Sequence, residues 1–229
     1  MSNARSEPSR WSLTREEIAS GAVRRQIIES GYPFAILSEE ELDASLAEVL
    51  ARRDDCEVWV FGYGSLMWNP AFHYAERCTS LLHGFHRRFC LWTHAGRGTP
   101  ENPGLTLALE RGGSCRGVAF RLSDEAVETE LGIVWRREMV SGAYAPRWVN
   151  LRNERGTVRA VTFVINHSHD RYAGLLPENQ VAKVIAQAEG GLGPCAEYLH
   201  NTVEHLEDLG IHDRSLTRLG RQVTMLHNT

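Results

Sequence analysis

The chain has no cysteine pair at C-x-x-C spacing, no excess of positive charge and no apolar run of membrane-spanning length, and each absence removes a class of function. Its five cysteines, Cys56, Cys78, Cys90, Cys115 and Cys195, are odd in number and scattered. Neither a disulfide framework nor a structural zinc site is indicated, and reduced thiols are the simplest reading. A formal net charge of -4 and a pI near 6.2 give no electrostatic basis for nucleic acid or an anionic membrane as partner. Arg24-Arg25, Arg52-Arg53, Arg87-Arg88 and Arg136-Arg137 are doublets rather than patches. The apolar stretches fall far short of the roughly 20 residues that cross a bilayer. Met1 to Arg10 is polar rather than signal-like, so a cytoplasmic location is the default expectation. Also missing are G-x-x-x-x-G-K-S/T, which excludes a P-loop, and the G-x-S-x-G elbow, which leaves Ser65 little claim as a hydrolase nucleophile. What 229 residues and 42% hydrophobic content do allow is one domain with a full core, with or without an extension.

The texture of the chain changes once. Residues 1 to about 54 read as a helical lead-in, because Thr14-Arg15-Glu16-Glu17 and Ser38-Glu39-Glu40-Glu41 match the capping box ahead of apolar-periodic runs. Pro33 separates the two, and Arg52-Arg53-Asp54-Asp55 marks a boundary. Short runs rich in β-branched and aromatic residues follow at Val58–Tyr63, Phe85–Trp92, Leu105–Leu109, Gly117–Leu122, Arg147–Leu151 and Val158–Ile165, punctuated by Gly and Pro. A helix is expected from Ser123, as N-cap, to about Met139. Further helices are expected at Glu178–Glu189, closed by Gly190-Gly191, at Pro194–Leu209, and after Asp213. Strands grouped ahead of helices, without regular β-α-β alternation, point to a mixed α+β sheet or small barrel rather than a doubly wound parallel sheet.

Two places carry chemistry. In Val60-Phe61-Gly62-Tyr63-Gly64-Ser65-Leu66 an apolar strand runs into two glycines and a serine, a bend whose exposed backbone N–H groups suit an anion. Met67 stands where a dinucleotide fingerprint needs its third glycine, and a β-bulge or tight turn is the alternative use of such a glycine pair. The second place is Glu138. Val127, Leu131, Val134 and Trp135 form one apolar stripe, and Glu138 lies roughly 20° around the axis from Val127. A carboxylate there is either at a helix end reaching solvent or desolvated, and desolvation raises a carboxyl pKa toward the range of a proton shuttle. The competing reading is a buried ion pair with Arg136, Arg137 or Arg147, and the two are compatible. His83-x-x-His86 and His167-Ser168-His169-Asp170 lack a third ligand at zinc-like spacing and read as strand, turn or surface loop. Tyr144 and Tyr198, judged singly, read as core.

Taken in order, Val60 to Trp68, Arg87-Arg88-Phe89, Gly98-Thr99 with Pro103-Gly104, Gly117 to Leu122, Trp135-Arg136-Arg137-Glu138-Met139 and Glu197-Tyr198-Leu199 resemble the ChaC family, the glutathione-specific branch of the γ-glutamylcyclotransferases. The resemblance runs from about Val58 to the C-terminal helices, and the lead-in resembles that of longer bacterial members. It implies an α+β fold, a small mixed or antiparallel β-barrel flanked by helices, with residues 1–54 an N-terminal helical extension and 55–229 the catalytic domain. It implies cleavage of glutathione to 5-oxoproline and cysteinylglycine with no cofactor and no metal. It places the acid/base on Glu138 and the substrate loop on Val60, Phe61, Gly62, Tyr63, Gly64, Ser65 and Leu66. Tyr144 and Tyr198 would line the pocket, and Arg88 is a candidate for a substrate carboxylate, its alternative being a strand arginine that faces solvent. Two other functions stay open on the sequence: a cyclotransferase for another γ-glutamyl amine or amino acid, and a metabolite-binding or regulatory module. Nothing in the sequence sets an oligomeric state.

Overall fold

The computed structural model describes residues 11–54 and 57–227. The described part of the lead-in forms three helices, α1 (Arg15–Ala19), α2 (Ala22–Glu29) and α3 (Glu39–Leu50). Both capping boxes form: the Thr14 hydroxyl accepts from the Glu17 N–H at 3.3 Å, and the Ser38 N–H donates to Glu41 Oε2 at 2.7 Å. A helix as short as α1 does not persist alone in water, so packing must hold it. Ile18, Val23, Leu42 and Val49 are buried in the main hydrophobic cluster together with barrel residues. Asp55 and Cys56, part of the expected boundary and of the cysteine set, lie outside the described residues.

Five strands, β1 (Trp59–Gly62), β2 (Glu76–Thr93), β3 (Gly104–Arg121), β4 (Tyr144–Asn153) and β5 (Gly156–Ile165), close a barrel in the order β1-β3-β2-β4-β5. A parallel β1–β5 pair completes the ring, and β1–β3, β2–β3, β2–β4 and β4–β5 are antiparallel. The small mixed barrel is therefore present. Two strands are longer than local patterning suggests. Leu105–Leu109 and Gly117–Leu122 belong almost wholly to one strand, β3, and Phe85–Trp92 is only the second half of β2. The first half, Glu76–His83, is polar and takes its conformation from pairing with Ser114–Arg121, a partner that no local window contains. Strands this long must bend to close a ring. Gly84 at φ 83° adjoins a register shift between His83 and Phe85, opposite Gly112 and Gly113 at φ 97° and 69°.

The helix anticipated from Ser123 begins instead as a 3-10 turn, Asp124–Ala126, closed by the Ala126 N–H on Ser123 O at 2.9 Å. The Ser123 hydroxyl makes no capping bond, and α4 proper spans Val127–Glu138 with Val127, Leu131, Val134 and Trp135 buried. Next, α5 (Glu178–Gln187) stops at an extended Ala188, not on the glycine pair. Glu189–Gly190 pairs with Gly193–Pro194, and a Cβ on Gly190 would fall 2.4 Å from Gly98 O, so a chain crossing rather than a helix cap requires that glycine. α6 (Cys195–Asp208) opens behind Pro194, and α7 (Arg214–His227) is capped by Asp213 Oδ1, 3.1 Å from the Leu216 N–H. No described helix is long and apolar enough to cross a membrane.

Candidate active site

Helix α4 ends on Glu138, and the position expected on its apolar stripe is indeed at a helix end without being released to solvent. The Glu138 side chain is 15% exposed and that of Arg137 5%, with Arg137 Nε 3.2 Å from Glu138 Oε1. Burial pushes the Glu138 carboxyl above the ordinary carboxylate range, and the Arg137 charge pulls it partly back. Beyond that ion pair the carboxylate has no hydrogen bond among the described residues. It lines a cavity of about 500 Å³.

The same arginine ties this carboxylate to the glycine loop. Arg137 Nη2 donates to Ser65 Oγ at 2.9 Å, and Nη1 donates to the carbonyl oxygens of Asn69 and Pro70. The loop arrives from β1, whose four residues are wholly buried, and turns at Tyr63-Gly64 into a single 3-10 turn, Ser65–Met67. The leading N–H groups of such a turn have no acceptor inside it. Close approach, not a positive φ, demands the glycines. A Cβ on Gly62 would lie 2.9 Å from Leu66 Cβ, and one on Gly64 would lie 2.8 Å from the Tyr198 hydroxyl. From behind, the Tyr63 hydroxyl donates to Phe163 O at 2.8 Å. The Tyr63 carbonyl accepts from Arg87 Nη1 at 2.9 Å, and Arg87 Nε is itself 3.4 Å from Asp213 Oδ2.

Tyr144, at the start of β4, donates its hydroxyl to Leu107 O at 2.7 Å, and Tyr198 on α6 meets the backbone of the same residue. Burial raises both phenols far above their ordinary range, so both stay protonated. Because the Tyr144 proton is committed to a carbonyl, its oxygen is left as an acceptor.

The structure gathers Ser65, Glu138, Tyr144 and Tyr198 around one cavity, with Gly64 against it through the Tyr198 hydroxyl. The other loop candidates stand behind this wall. Val60 and Phe61 are interior residues of β1, Gly62 ends that strand, and Tyr63 and Leu66 are buried beneath the turn, so these residues support the loop without lining the cavity. Arg88 is a correction: it does not reach the cavity. Alternation along β2 turns Arg87 and Phe89 inward and leaves Arg88 on the opposite face, beside Cys90 and Tyr172. The other member of that doublet, Arg87, is the one that touches the loop, and alternation against the apolar Phe89 is the signal that separates them.

Sequence reasoning also missed the contribution of the lead-in. Trp11 and Tyr32 line the cavity, and the Trp11 N–H donates to Gly191 O at 2.7 Å. Its indole lies so close that a Cβ on Gly191 would be 2.4 Å away. The histidine clusters are occupied elsewhere: His167 pairs with Glu110, and His169 Nε2 lies 2.9 Å from Ser141 O. Among the described residues no group of His, Cys, Asp and Glu is arranged to hold a metal ion.

Comparison with known proteins adds the following. The model of the family described as ChaC-like protein matches residues 58–226. An Escherichia coli (strain K12) protein named glutathione-specific gamma-glutamylcyclotransferase is 47% identical, over 80% of this chain and 80% of its own. The zebrafish (Danio rerio) glutathione-specific gamma-glutamylcyclotransferase 1 is 34% identical, over 65% of this chain and 79% of its own. A crystal structure of a yeast gamma-glutamyl cyclotransferase specific to glutathione superposes with a TM-score of 0.69 at 23% identity, covering 75% of this chain and 97% of that one, a likeness of fold.

Proposed function

The chain belongs to the ChaC-like protein family, and from that premise we propose that it cleaves glutathione to 5-oxoproline and cysteinylglycine. The observation that carries the mechanism is Glu138: a desolvated carboxylate at a cavity wall, oriented by one arginine and with no other partner among the described residues. The substrate brings its own nucleophile. Its α-amine attacks its γ-carbonyl carbon and closes a five-membered lactam, so the reaction asks for no protein nucleophile, no water and no metal. Tethering makes the attack intramolecular, and aligned reactions of this kind reach effective molarities on the order of 10⁵ M or more.

The protein has three tasks. It must curl the γ-glutamyl chain, take one proton from the ammonium before the attack and a second from the same nitrogen as the lactam forms, and return one to the departing amide nitrogen as the C–N bond breaks, the other passing to the released amine. Glu138 suits both transfers, because burial raises its pKa and makes the carboxylate a better proton acceptor than an exposed one, while the Arg137 charge keeps the ionised form within reach. The N–H groups at the Gly64-Ser65 turn would hold the α-carboxylate or the developing oxyanion, with Gly62 and Tyr63 supporting the turn from behind. Tyr144, its own proton already given to Leu107 O, offers an acceptor for the ammonium. We read residues 1–54 as an extension to a catalytic domain of 55–229, in keeping with a family match that begins at 58. A cytoplasmic setting is part of this proposal, supported by the free thiols at Cys78, Cys90, Cys115 and Cys195. The test is 5-oxoproline release from glutathione set beside release from γ-glutamyl-alanine. Preference for glutathione is expected, and preference for the dipeptide would overturn the substrate assignment.

A further inference from the structure

The cavity wall carries three arginines, Arg97, Arg137 and Arg171, and two carboxylates, Glu138 and Glu197. Two of the arginines are neutralised in place, Arg97 by Glu197 at 3.2 Å and Arg137 by Glu138 at 3.2 Å. Arg171 is not. Its Nε donates to Trp92 O at 2.6 Å, and its Nη1 donates to the Tyr32 hydroxyl at 3.0 Å and to Ser141 Oγ at 3.1 Å. The guanidinium carbon also lies 5.7 Å from the centroid of the Tyr32 ring. All these partners are neutral, and no described carboxylate pairs with Arg171. Its plane is fixed from one side, while Nη2 has no hydrogen-bond partner among the described residues. A positioned cation without a counter-ion, on a wall whose other charges cancel, is a site for a carboxylate.

The proposed substrate matches this imbalance. At neutral pH it carries two carboxylates and one ammonium. The α-carboxylate and ammonium sit on the γ-glutamyl end, which the glycine loop, Glu138 and Tyr144 would receive. The second carboxylate lies at the opposite end of the peptide, two residues beyond the bond that breaks, a reach of about 7 Å in extended chain. We infer that Arg171, oriented by Tyr32 of the N-terminal extension, is a specificity-determining residue that binds the C-terminal carboxylate of the peptide substrate. The inference rests on the glutathione reading given above. It also gives the extension a task, since Tyr32 orients the cation that selects the leaving half.

The experiment uses the full chain and two substrates, glutathione and its glycyl monoethyl ester, which lacks only that carboxylate. For the wild type, KM for the ester should exceed KM for glutathione by about 10-fold or more, the size of a lost charge-assisted hydrogen bond, with kcat within about 3-fold. Arg171→Gln should raise KM for glutathione by a similar factor and leave KM for the ester within about 2-fold, and Arg171→Lys should recover part of the loss. Equal KM values for acid and ester in the wild type would overturn the inference, even if Arg171→Gln fails to fold. So would an Arg171→Gln variant that weakens both substrates by the same factor, the mark of a structural role. Wild type that releases no 5-oxoproline from either compound refutes the glutathione reading itself, and the inference falls with it.

Discussion

Helix α4 carries two glutamates whose side chains are largely withdrawn from solvent, each beside an arginine, and they are held in different ways. Glu130 has both oxygens engaged: Arg15 reaches it with Nη1 and with Nη2, the latter at 2.9 Å, and the His73 N–H donates to it at 2.8 Å. Among the described residues Glu138 has a single ion pair at 3.2 Å and no hydrogen bond, and a cavity lies in front of it. Side-chain exposure barely separates them, at 5% and 15%. Burial beside a cation is therefore not what makes a carboxylate fit for proton transfer. The difference is unfilled coordination: three donors engage both oxygens of Glu130, whereas Glu138 has one oxygen with no partner among the described residues and a cavity beside it.

The largest test of this contrast is catalytic. Glu138→Gln should fold and release 5-oxoproline at least about 10²-fold more slowly, the usual size of a general-base effect. Undiminished turnover would remove Glu138 from the mechanism. At the other site the loss should appear in stability instead. Glu130→Ala leaves Arg15 and the His73 N–H without their acceptor, and urea denaturation should register a loss on the order of 3 kcal/mol. That is the low end for breaking a buried pair, because Arg15 is 25% exposed and can recover water. Turnover per folded molecule should stay within about 2-fold, and a specific catalytic defect in this variant would erase the distinction.

The apolar stripe that exposes Glu138 in the sequence shows why legibility was partial. Val127, Leu131, Val134 and Trp135 mark a buried face, and Glu138 falls on it by period alone. Glu130 is on the edge of that face too, yet nothing local announces Arg15, which lies 115 residues away in sequence. Local signals fared well where the cause is local, as in the capping boxes at Thr14 and Ser38. They failed where the cause is a distant partner. The polar half of β2 is a strand because of β3, and Trp11 and Tyr32 line the cavity because the lead-in folds back against it. The glycine loop and Glu138 were both visible. That a single side chain, Arg137, joins them was not, since its bonds to Ser65 and Asn69 cross some 70 residues of chain, 72 in the case of Ser65.

Arg137 provides a finer test. It is the one interaction that lowers the Glu138 pKa against the effect of burial. Activity requires the carboxylate form to accept the first proton, so kcat/KM falls as pH drops through that pKa. Arg137→Gln removes the lowering charge and should move the acid limb of the kcat/KM profile to higher pH, in addition to any loss of rate from a looser Ser65 turn. With glutathione as substrate for both proteins, titration of the substrate cancels in the comparison. A limb that stays in place, or moves down, would show that Arg137 holds the loop without tuning the acid.

The smallest expected effect is on stability, and its sign reports how Glu138 is held. Glu138 has a folded-state pKa raised above its unfolded value of about 4.3, so protonation favours the fold. That favourable contribution is fully present below the unfolded pKa and is lost as pH rises through the folded one. Glu138→Gln carries an uncharged side chain of nearly the same shape and has nothing to lose over that range. It does leave Arg137 buried without its partner, a cost that is the same at every pH between about 4 and 8, because an arginine stays charged throughout. The informative quantity is therefore the slope of the difference in Tm, not its offset. The variant should gain on the wild type as pH rises from about 4 toward 7. A wild type that gains on the variant would mean that the ion pair outweighs desolvation, and Glu138 would then be a structural carboxylate.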